Sequence, residues 1–243
     1  MKTKRYYTKN NLINNTIVNL EGEEHHHLKN VMRSRVGDEV VLFNGSNLDA
    51  FGTIKSIDKN STQIFINNVI ENKNEPTINF TLYQAVCKGD KLSLITQKIT
   101  ELGANNLYVF YSQFTDIKDR TSKLDKLERV SISASKQCGR SSILKTTGVF
   151  SFNEMIEHAK NNDKVFVAYE NENKLTLFSS LKKNAKFKNI GLIIGAEGGF
   201  STEEIETLKN NNFEIVSLGK RILRTETAGI VGSSTIIFAC EEE

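Results

Sequence analysis

Short apolar runs separated by polar turns occupy the first part of the chain. Residues 39–43 form a compact apolar run, and residues 50–57 and 63–70 alternate roughly between apolar and polar positions. Turn-forming segments, Asn44-Gly45-Ser46-Asn47 and Asp58-Lys59-Asn60-Ser61, lie between these runs. Closely spaced short strands of this kind predict a small β-barrel.

The spacing of hydrophobic residues along the chain changes after a polar stretch at residues 71–76. We therefore expect two domains, residues 1–72 and residues 73–243. In the second domain, predicted strands alternate with predicted helices, which is typical of a mostly parallel sheet covered on both faces. The predicted strands are 77–86, 107–111, 164–169, 190–194 and 213–218, and the helices are predicted to begin near Asp90, Ser122, Ser201 and Thr225, whose side chains can cap a helix.

Composition and charge narrow the class of protein. The chain has 243 residues, of which 38% are hydrophobic and 25% charged, as in ordinary globular domains. A formal net charge of +3 permits nucleic-acid binding without requiring it. We expect a cytoplasmic protein without a membrane span, because no apolar run is long enough to cross a bilayer and the polar N-terminal segment lacks the apolar core of a signal peptide.

Histidine and cysteine residues predict no metal site. His25-His26-His27 is conspicuous, but successive side chains point about 100° apart on a helix and to opposite faces on a strand, so three in a row cannot converge on one ion. We expect one of them to pack inward and the others to lie at the surface. The three cysteines, Cys87, Cys138 and Cys240, are far apart and indicate neither a metal site nor a disulfide framework.

A glycine-rich turn is the first candidate for chemistry. Gly195-Ala196-Glu197-Gly198-Gly199 joins a predicted buried strand to a helix that begins with the capping pair Ser201 and Glu204. This is the sheet edge where α/β proteins bind ligands. The G-x-x-G-G spacing differs from nucleotide-binding motifs, and a carboxylate at Glu197 would repel a phosphate. The turn therefore suits a ligand without phosphate, although a purely structural tight turn fits the pattern equally well.

A second candidate follows the next predicted strand. Gly219 turns the chain after Leu218, and the apolar residues Ile222 and Leu223 follow in the same loop beside Arg224. Apolar loop residues near a flexible glycine can form the wall of a pocket for a flat ring. The alternative is a buried loop anchor flanked by solvated arginines.

Together the two loops resemble the signature loops of the RsmE-type family, the uridine-N3 methyltransferases of small-subunit (16S) ribosomal RNA within the SPOUT superfamily. Further matches follow in order along the chain, at residues 26–28, 31–33, 36–38, 88–90, 97–103 and 137–141. The chain departs from the family at Ala196, where proline is usual, and at Tyr111-Ser112-Gln113-Phe114, a segment that usually holds an arginine. The first departure should loosen the turn slightly, and the second could remove an RNA contact.

The resemblance implies an α/β fold of the SPOUT type. The C-terminal domain would be tied in a trefoil knot, and the N-terminal domain would be a PUA-like β-barrel that helps to hold RNA. A homodimer would bind S-adenosylmethionine and methylate N3 of a uridine in small-subunit ribosomal RNA within a ribosomal particle. The cofactor residues carried over are Gly195, Ala196, Glu197, Gly198, Gly199, Leu218, Gly219, Ile222 and Leu223, with Tyr169 and Glu170 at a neighbouring strand end. The family blocks add Lys88, Gln137 and Arg140 as candidate RNA contacts. Arg33 and Arg35 form a basic strip that could contact phosphates or could simply be a solvated basic face.

The chemistry of uridine indicates a role for a fixed cation. N3 is a weak nucleophile until its proton leaves, and negative charge then spreads over N3 and the carbonyl oxygens, where a nearby cation stabilises it. Arg224, beside the apolar loop residues, is the candidate catalytic residue. Glu197, Glu226 or a water molecule could accept the proton. The target base must be unpaired or splayed out, because N3 is paired in a helix.

Two other functions stay open at this point. The chain could be a different SPOUT-type base methyltransferase acting on transfer RNA or large-subunit RNA, or a non-catalytic RNA-binding ribosome assembly factor whose cofactor loops are vestigial. A phosphate-binding α/β enzyme fits less well because the loop spacing is wrong.

Overall fold

The computed structural model describes residues 4–115, 124–182 and 187–241. The chain divides into two compact units. Met1–Glu75 and Ser135–Ile143 form the first, and Pro76–Ala134 and Leu144–Glu243 form the second.

The first unit is built on a five-stranded sheet. Its strand order is β1-β3-β4-β5-β2; β1 and β3 pair in parallel and the other neighbours are antiparallel. Two register shifts, at Phe51/Gly52 and Ile54/Ser56, interrupt the β4–β5 ladder, and irregularities of this kind bend a sheet around its core. The strands are β1 (Lys4–Tyr7), β2 (Ile17–Glu21), β3 (Glu39–Phe43), β4 (Leu48–Ile57) and β5 (Ser61–Glu71).

A short helical segment follows β2. Helix α1 (Gly22–His26) continues into a single π turn at His27–Val31. The strands predicted at 39–43, 50–57 and 63–70 are present, whereas the sequence pattern predicts neither β1, β2 nor α1. Leu28 from the π turn packs with Tyr6, Leu20, Leu42 and Ile64 in the core of this unit.

The second unit is a six-stranded parallel sheet with helices on both faces. Its strand order is β11-β9-β10-β6-β7-β8, and every neighbouring pair is parallel. The strands are β6 (Asn79–Ala85), β7 (Asn106–Phe110), β8 (Lys145–Phe150), β9 (Lys164–Ala168), β10 (Asn189–Ile194) and β11 (Glu214–Val216). The helices are α2 (Lys91–Leu102), α3 (Leu124–Cys138), α4 (Phe152–Ala159), α5 (Leu177–Leu181), α6 (Thr202–Asn210) and α7 (Thr225–Glu241).

Alternate residues of each strand serve two separate cores, because successive strand side chains point to opposite faces. Leu192 and Ile194 of β10 pack with Ile95 of α2 and Ile236 of α7 on one face. Ile193, between them, packs on the other face with residues of α4 and α6. This confirms the predicted parallel sheet that is covered on both sides.

Several local predictions need correction. Asp90 does precede α2, but its side chain makes no capping bond and its Oδ1 accepts a hydrogen bond from Lys126. Strand β11 covers three residues rather than the predicted 213–218, because from Ser217 the backbone pairs with the segment before α5 instead of with β9. Thr225 is the first residue of α7 and does not cap it. Ser122 lies outside the described residues.

Other local predictions are confirmed. Gly103 ends α2 in a left-handed conformation with φ 104°, and the pair Ser201 and Glu204 forms a capping box before α6.

Within the described ranges, no helix is long and apolar enough to cross a membrane.

Candidate cofactor cleft of the second unit

The glycine loop, residues 195–199, is a closed turn between β10 and α6. The amide of Gly199 donates a 3.0 Å hydrogen bond to the carbonyl of Ala196, which closes the turn. Gly199 has φ +70°, and a Cβ atom there would lie 2.6 Å from Glu170 Oε1. The left-handed backbone therefore favours glycine at position 199, and a larger residue would also have to displace the end of the Glu170 side chain.

The apolar loop, residues 218–224, follows β11. The amide of Gly219 donates to Ser217 Oγ at 3.2 Å, and Gly219 has φ +115°, so a tight side-chain turn redirects the chain. Ile222 is 87% exposed and Leu223 is partly buried. A free apolar side chain as open as Ile222 gains free energy when a ligand covers it.

A buried hydrogen-bond chain joins the two loops, and the sequence patterns do not reveal it. Thr225 Oγ1 donates to the carbonyl of Gly195 at 2.6 Å and accepts from Gln84 Nε2 at 2.9 Å. Gln84 is fully buried near the end of β6. The one sequence signal for this arrangement is a polar glutamine within an apolar strand.

The two loops and the end of β9 surround an open cleft that contains about 510 Å³ of space, part of it solvent. Eight of the predicted cofactor residues line it: Tyr169, Glu170, Gly195, Gly199, Leu218, Gly219, Ile222 and Leu223. Seven residues outside the predicted cofactor set also line it, namely Ala168, Ile194, Phe200, Ser217, Arg221, Thr225 and Ala228. They lie within or beside the same two loops and at the end of β9.

The other three predicted cofactor residues lie on the far side of the glycine loop. Ala196 is buried, and Glu197 and Gly198 line a second, more open cavity with Lys88, Gln113 and Phe114. Gly198 is pressed against Phe114, since a Cβ at position 198 would lie 2.8 Å from the Phe114 Cβ. One loop therefore separates two cavities, with its ends facing the first and its tip facing the second.

The carboxylate of Glu197 is held by donors from the segment that precedes α2 and from α2 itself. Its Oε1 accepts from the amide of Lys88 and from Lys91 Nζ, each at 2.9 Å. Burial raises the pKa of Glu197, but the hydrogen bonds from Lys91 and Lys88 outweigh it and keep the pKa below its ordinary value. Glu197 is thus a stable anion and a poor proton acceptor.

The candidate catalytic residue, Arg224, is exposed at the end of the apolar loop, directly before α7. Its carbonyl accepts a hydrogen bond from the amide of Ala228, so its backbone is fixed by the first turn of that helix. Arg224 does not line the cleft among the described residues, but its neighbours Leu223 and Thr225 do.

Four of the predicted RNA contacts are exposed. Arg33 and Arg35 belong to the turn that follows the π segment of the first unit, where Arg33 adopts φ +48°. Lys88 is exposed near the glycine loop of the second unit, and Gln137 is exposed near the end of α3.

Arg140 is buried, whereas a residue that contacts RNA must be exposed. It is 2% exposed, and its Nε and Nη2 donate to the two carboxylate oxygens of Glu75 at 2.9 and 2.6 Å. A buried guanidinium requires a counter-charge, and Glu75 supplies it within the first unit. The neighbouring Ser141 belongs to a buried network with Arg5 and Asp49, so the segment 139–141 is part of the packing of this unit.

The histidine run follows the prediction at His25 and His26, whereas His27 is partly buried instead of lying at the surface. His25 is buried and bonds to Thr62 Oγ1 and the Lys59 carbonyl, and His26 is exposed. In the part of the chain that the structure describes, no group of three or more histidine, cysteine, aspartate or glutamate residues could hold a metal ion.

Both units match known protein families. Residues 73–237 match the family model of an RNA methyltransferase domain, and residues 20–66 match that of an RNA methyltransferase PUA domain. The first match alone covers more than half of the chain.

Similar proteins align over nearly the full length. The ribosomal RNA small subunit methyltransferase E of Bacillus subtilis is 29% identical over 98% of this chain and 97% of its own. The crystal structure of the Neisseria gonorrhoeae protein of the same name, bound to S-adenosyl methionine, is 26% identical with a TM-score of 0.86 and covers 96% of each chain. A Legionella pneumophila protein solved in complex with the cofactor SAM is 28% identical with a TM-score of 0.89 and covers 98% of each chain.

Proposed function

Since the chain belongs to the RNA methyltransferase family that includes ribosomal RNA small subunit methyltransferase E, we propose that it transfers a methyl group from S-adenosylmethionine to N3 of a uridine in small-subunit ribosomal RNA. The observation that carries the proposal is the cleft. Two loops at the carboxyl ends of the parallel strands β10 and β11, which flank β9, form its walls, and the hydrogen bond between Thr225 and Gly195 holds them together.

The residues of the cleft fit S-adenosylmethionine. That cofactor has an adenine ring, an amino-acid group and a sulfonium cation but no phosphate, and it supplies the activated methyl group. The exposed Ile222 and the partly buried Leu218 and Leu223 can cover the faces of a flat ring. Among the lining side chains, Glu170 is acidic and Arg221 is basic, a balance that suits a zwitterionic ligand better than a polyphosphate.

The remaining predicted cofactor residues do not line the cleft, but they belong to the turn that forms one of its walls. Ala196, Glu197 and Gly198 complete the turn whose two ends, Gly195 and Gly199, face the cleft. We assign them the role of fixing the glycine loop, with the bond between Gly199 and Ala196 closing it.

We assign the catalytic role to Arg224, whose chain neighbours Leu223 and Thr225 line the cleft. The uracil ring gains negative charge on N3 and its carbonyl oxygens as its proton leaves, and a guanidinium that reaches the base from this position stabilises that charge. Glu197 is unsuited to accept the proton because its pKa is held low. Glu226, one of the other acceptors considered, lies in the first turn of α7, two residues from Arg224.

RNA recognition is proposed for both units. Residues 1–72 form a PUA-like RNA-binding domain, and residues 73–243 the methyltransferase domain. The exposed Arg33 and Arg35 of the first unit and Lys88 of the second present charges to the RNA backbone, with Gln137 as a further contact. Arg140 acts by fixing its own segment through Glu75.

The finer architecture is also proposed. The chain leaves β11 at the sheet edge and returns so that Thr225 bonds both to the loop after β10 and to Gln84 of β6, a path that supports a trefoil knot.

The partly exposed Val231 and Phe238 of α7 support a homodimer through this helix. We also propose a small-subunit RNA substrate within a ribosomal particle and, with it, a cytoplasmic location.

A cofactor titration followed by single-turnover methylation tests the proposal. Wild-type protein should bind S-adenosylmethionine saturably, and Arg224→Ala should retain that affinity while losing most of its turnover. Lys220→Ala is the matched control, since Lys220 is exposed in the same loop and does not line the cleft. Wild-type turnover in Arg224→Ala would remove the catalytic role of Arg224, and a protein that binds no cofactor would be an assembly factor.

A further inference from the structure

One cation lies between the glycine loop and the first turn of α7. Lys91, the first residue of α2, places Nζ 2.9 Å from Glu197 Oε1 and 3.4 Å from Glu226 Oε2. Glu197 belongs to the glycine loop, and Glu226 belongs to the first turn of α7. A single ammonium therefore contacts one carboxylate on each segment.

The carboxylate of Glu226 is largely buried, so removal of the positive charge on Lys91 would destabilise it. The side chain of Glu226 is 14% exposed, and its buried Oε2 accepts no hydrogen bond from the described residues. A carboxylate removed from water is costly unless a counter-charge offsets it. Without Lys91, the carboxylates of Glu226 and Glu197 would also repel each other.

The Lys91 side chain remains positively charged near neutral pH. The hydrogen bond to Glu197 raises the pKa of Lys91 above its ordinary value, so the side chain stays charged throughout the neutral range. The amide of Lys88, three residues earlier, donates to the same oxygen of Glu197. The start of α2 thus holds the tip of the glycine loop by two donors, one of which also reaches α7.

We propose that Lys91 is a positioning residue, whose ammonium holds the glycine loop and the first turn of α7 at the spacing that S-adenosylmethionine binding requires. This inference rests on the proposed function. Lys91 does not line the cleft, so it acts through Glu197 and Glu226. Its loss lets the two segments separate, which weakens cofactor binding more than it slows transfer in the loaded enzyme.

The test replaces the ammonium while keeping the length of the side chain. Lys91→Met should raise the Kd for S-adenosylmethionine about tenfold in calorimetry, as expected when the largely buried carboxylate of Glu226 loses its counter-charge. The KM for the cofactor should rise with it while kcat changes less. Lys91→Arg retains a charged donor and should restore the affinity, an outcome that a simple packing role would not produce.

Lys98→Met is the matched control. Lys98 lies on the same helix and pairs with Glu101 at 2.9 Å, away from both loops, so its loss should leave the Kd unchanged. If Lys91→Met does not fold, Glu197→Gln removes the same ion pair from the other side and should raise the Kd by about threefold, the scale of a partly exposed pair.

The possible outcomes separate this inference from the proposed function. Unchanged affinity in a folded Lys91→Met protein, beside a wild type that binds the cofactor, would overturn the positioning role alone. Equal losses in Lys91→Met and Lys91→Arg would also overturn it, because a charge-independent effect is a packing effect. Absence of binding in the wild type would overturn the proposed function and this inference together.

Discussion

The hydroxyl of Thr225 donates a 2.6 Å hydrogen bond to the carbonyl oxygen of Gly195. Thr225 begins α7 and Gly195 begins the glycine loop, so the bond joins two segments that are 30 residues apart in the chain. Gln84 donates to the same hydroxyl from β6. Because the Thr225 side chain is buried, the spacing of the two walls of the cleft depends on this hydroxyl.

Replacing Thr225 by valine should therefore weaken both the fold and the cleft. Thr225→Val keeps the shape but removes the 2.6 Å hydrogen bond to the Gly195 carbonyl and one of the hydrogen bonds that Gln84 Nε2 donates. Buried groups that lose a hydrogen bond cost about 1–3 kcal/mol. We expect a decrease of that size in the free energy of unfolding, measured with urea, and a higher Kd for S-adenosylmethionine.

The control for this prediction is Thr235→Val. Thr235 lies on the same helix, is not buried, and donates only to the Val231 carbonyl one turn earlier. Its replacement should change neither quantity. Equal effects of the two substitutions would mean that the Thr225 hydroxyl has no special role in the cleft.

Gly199→Ala should close off the cleft from one side. A Cβ at position 199 would lie 2.6 Å from Glu170 Oε1, and the backbone there has φ +70°, which disfavours alanine. We expect cofactor affinity to fall at least tenfold, measured by calorimetry.

Gly148→Ala is the comparison for that substitution, because a Cβ there makes only an ordinary 3.9 Å contact with Leu124. It should bind the cofactor like the wild type. Retained affinity in Gly199→Ala would show that Glu170 can move away and that the close approach is not required for binding.

The glycine loop could be predicted from sequence because its determinants are local. Gly199, with its left-handed backbone, and the capping pair Ser201 and Glu204 are all within a few residues of one another. The bond from Thr225 to Gly195 could not be predicted in the same way. Thr225 preceding a helical pattern is also typical of an N-cap, and only the packing of α7 against β10 shows that its hydroxyl points to another loop.

Substitutions in the first unit should separate structural from RNA-binding arginines. Arg140→Ala removes a buried guanidinium from the partly buried carboxylate of Glu75, so the free energy of unfolding should fall by about 3 kcal/mol. Arg33→Ala and Arg35→Ala remove exposed charges and should leave that free energy almost unchanged. Thermal or urea unfolding of the three variants provides the measurement.

RNA binding should show the complementary pattern. Arg33→Ala and Arg35→Ala should each weaken binding to small-subunit RNA and reduce its salt dependence, as expected when a phosphate contact is lost. Full RNA affinity in the double variant Arg33→Ala/Arg35→Ala would remove this turn from the proposed RNA surface.

Alkaline pH should destabilise the second unit through Tyr83. Burial raises the pKa of Tyr83 to about 12 from 10.0, and Asn162 donates a 2.8 Å hydrogen bond to its hydroxyl oxygen. A raised pKa in the folded state stabilises the fold fully below the unfolded value. That contribution is then lost as the pH rises from 10.0 to about 12.

Urea unfolding at a series of pH values tests this window. The free energy of unfolding should decline more steeply across it in the wild type than in Tyr83→Phe, which has no phenol to ionise at this position. Burial also raises the pKa of Tyr6, but that contribution is common to both proteins. Parallel declines would contradict the assignment to Tyr83.

The less predictable parts of the fold depend on contacts between distant residues. Strands β3 to β5 follow from apolar alternation, but β1 reads Lys4-Arg5-Tyr6-Tyr7 and has no such pattern. Arg140 sits in a block that resembles a family motif, and the sequence alone gives no sign that Glu75 neutralises it. Composition identifies charged residues, whereas burial decides whether a charge faces solvent or a partner.

The central claim is tested most directly by methyl transfer to small ribosomal subunits that lack the native modification. The purified protein is incubated with them and S-adenosylmethionine, and nucleosides from the digested RNA are analysed by mass spectrometry. The account predicts a new 3-methyluridine peak that depends on the cofactor. A different methylated nucleoside, or no methylation by a protein that binds the cofactor saturably, would contradict it.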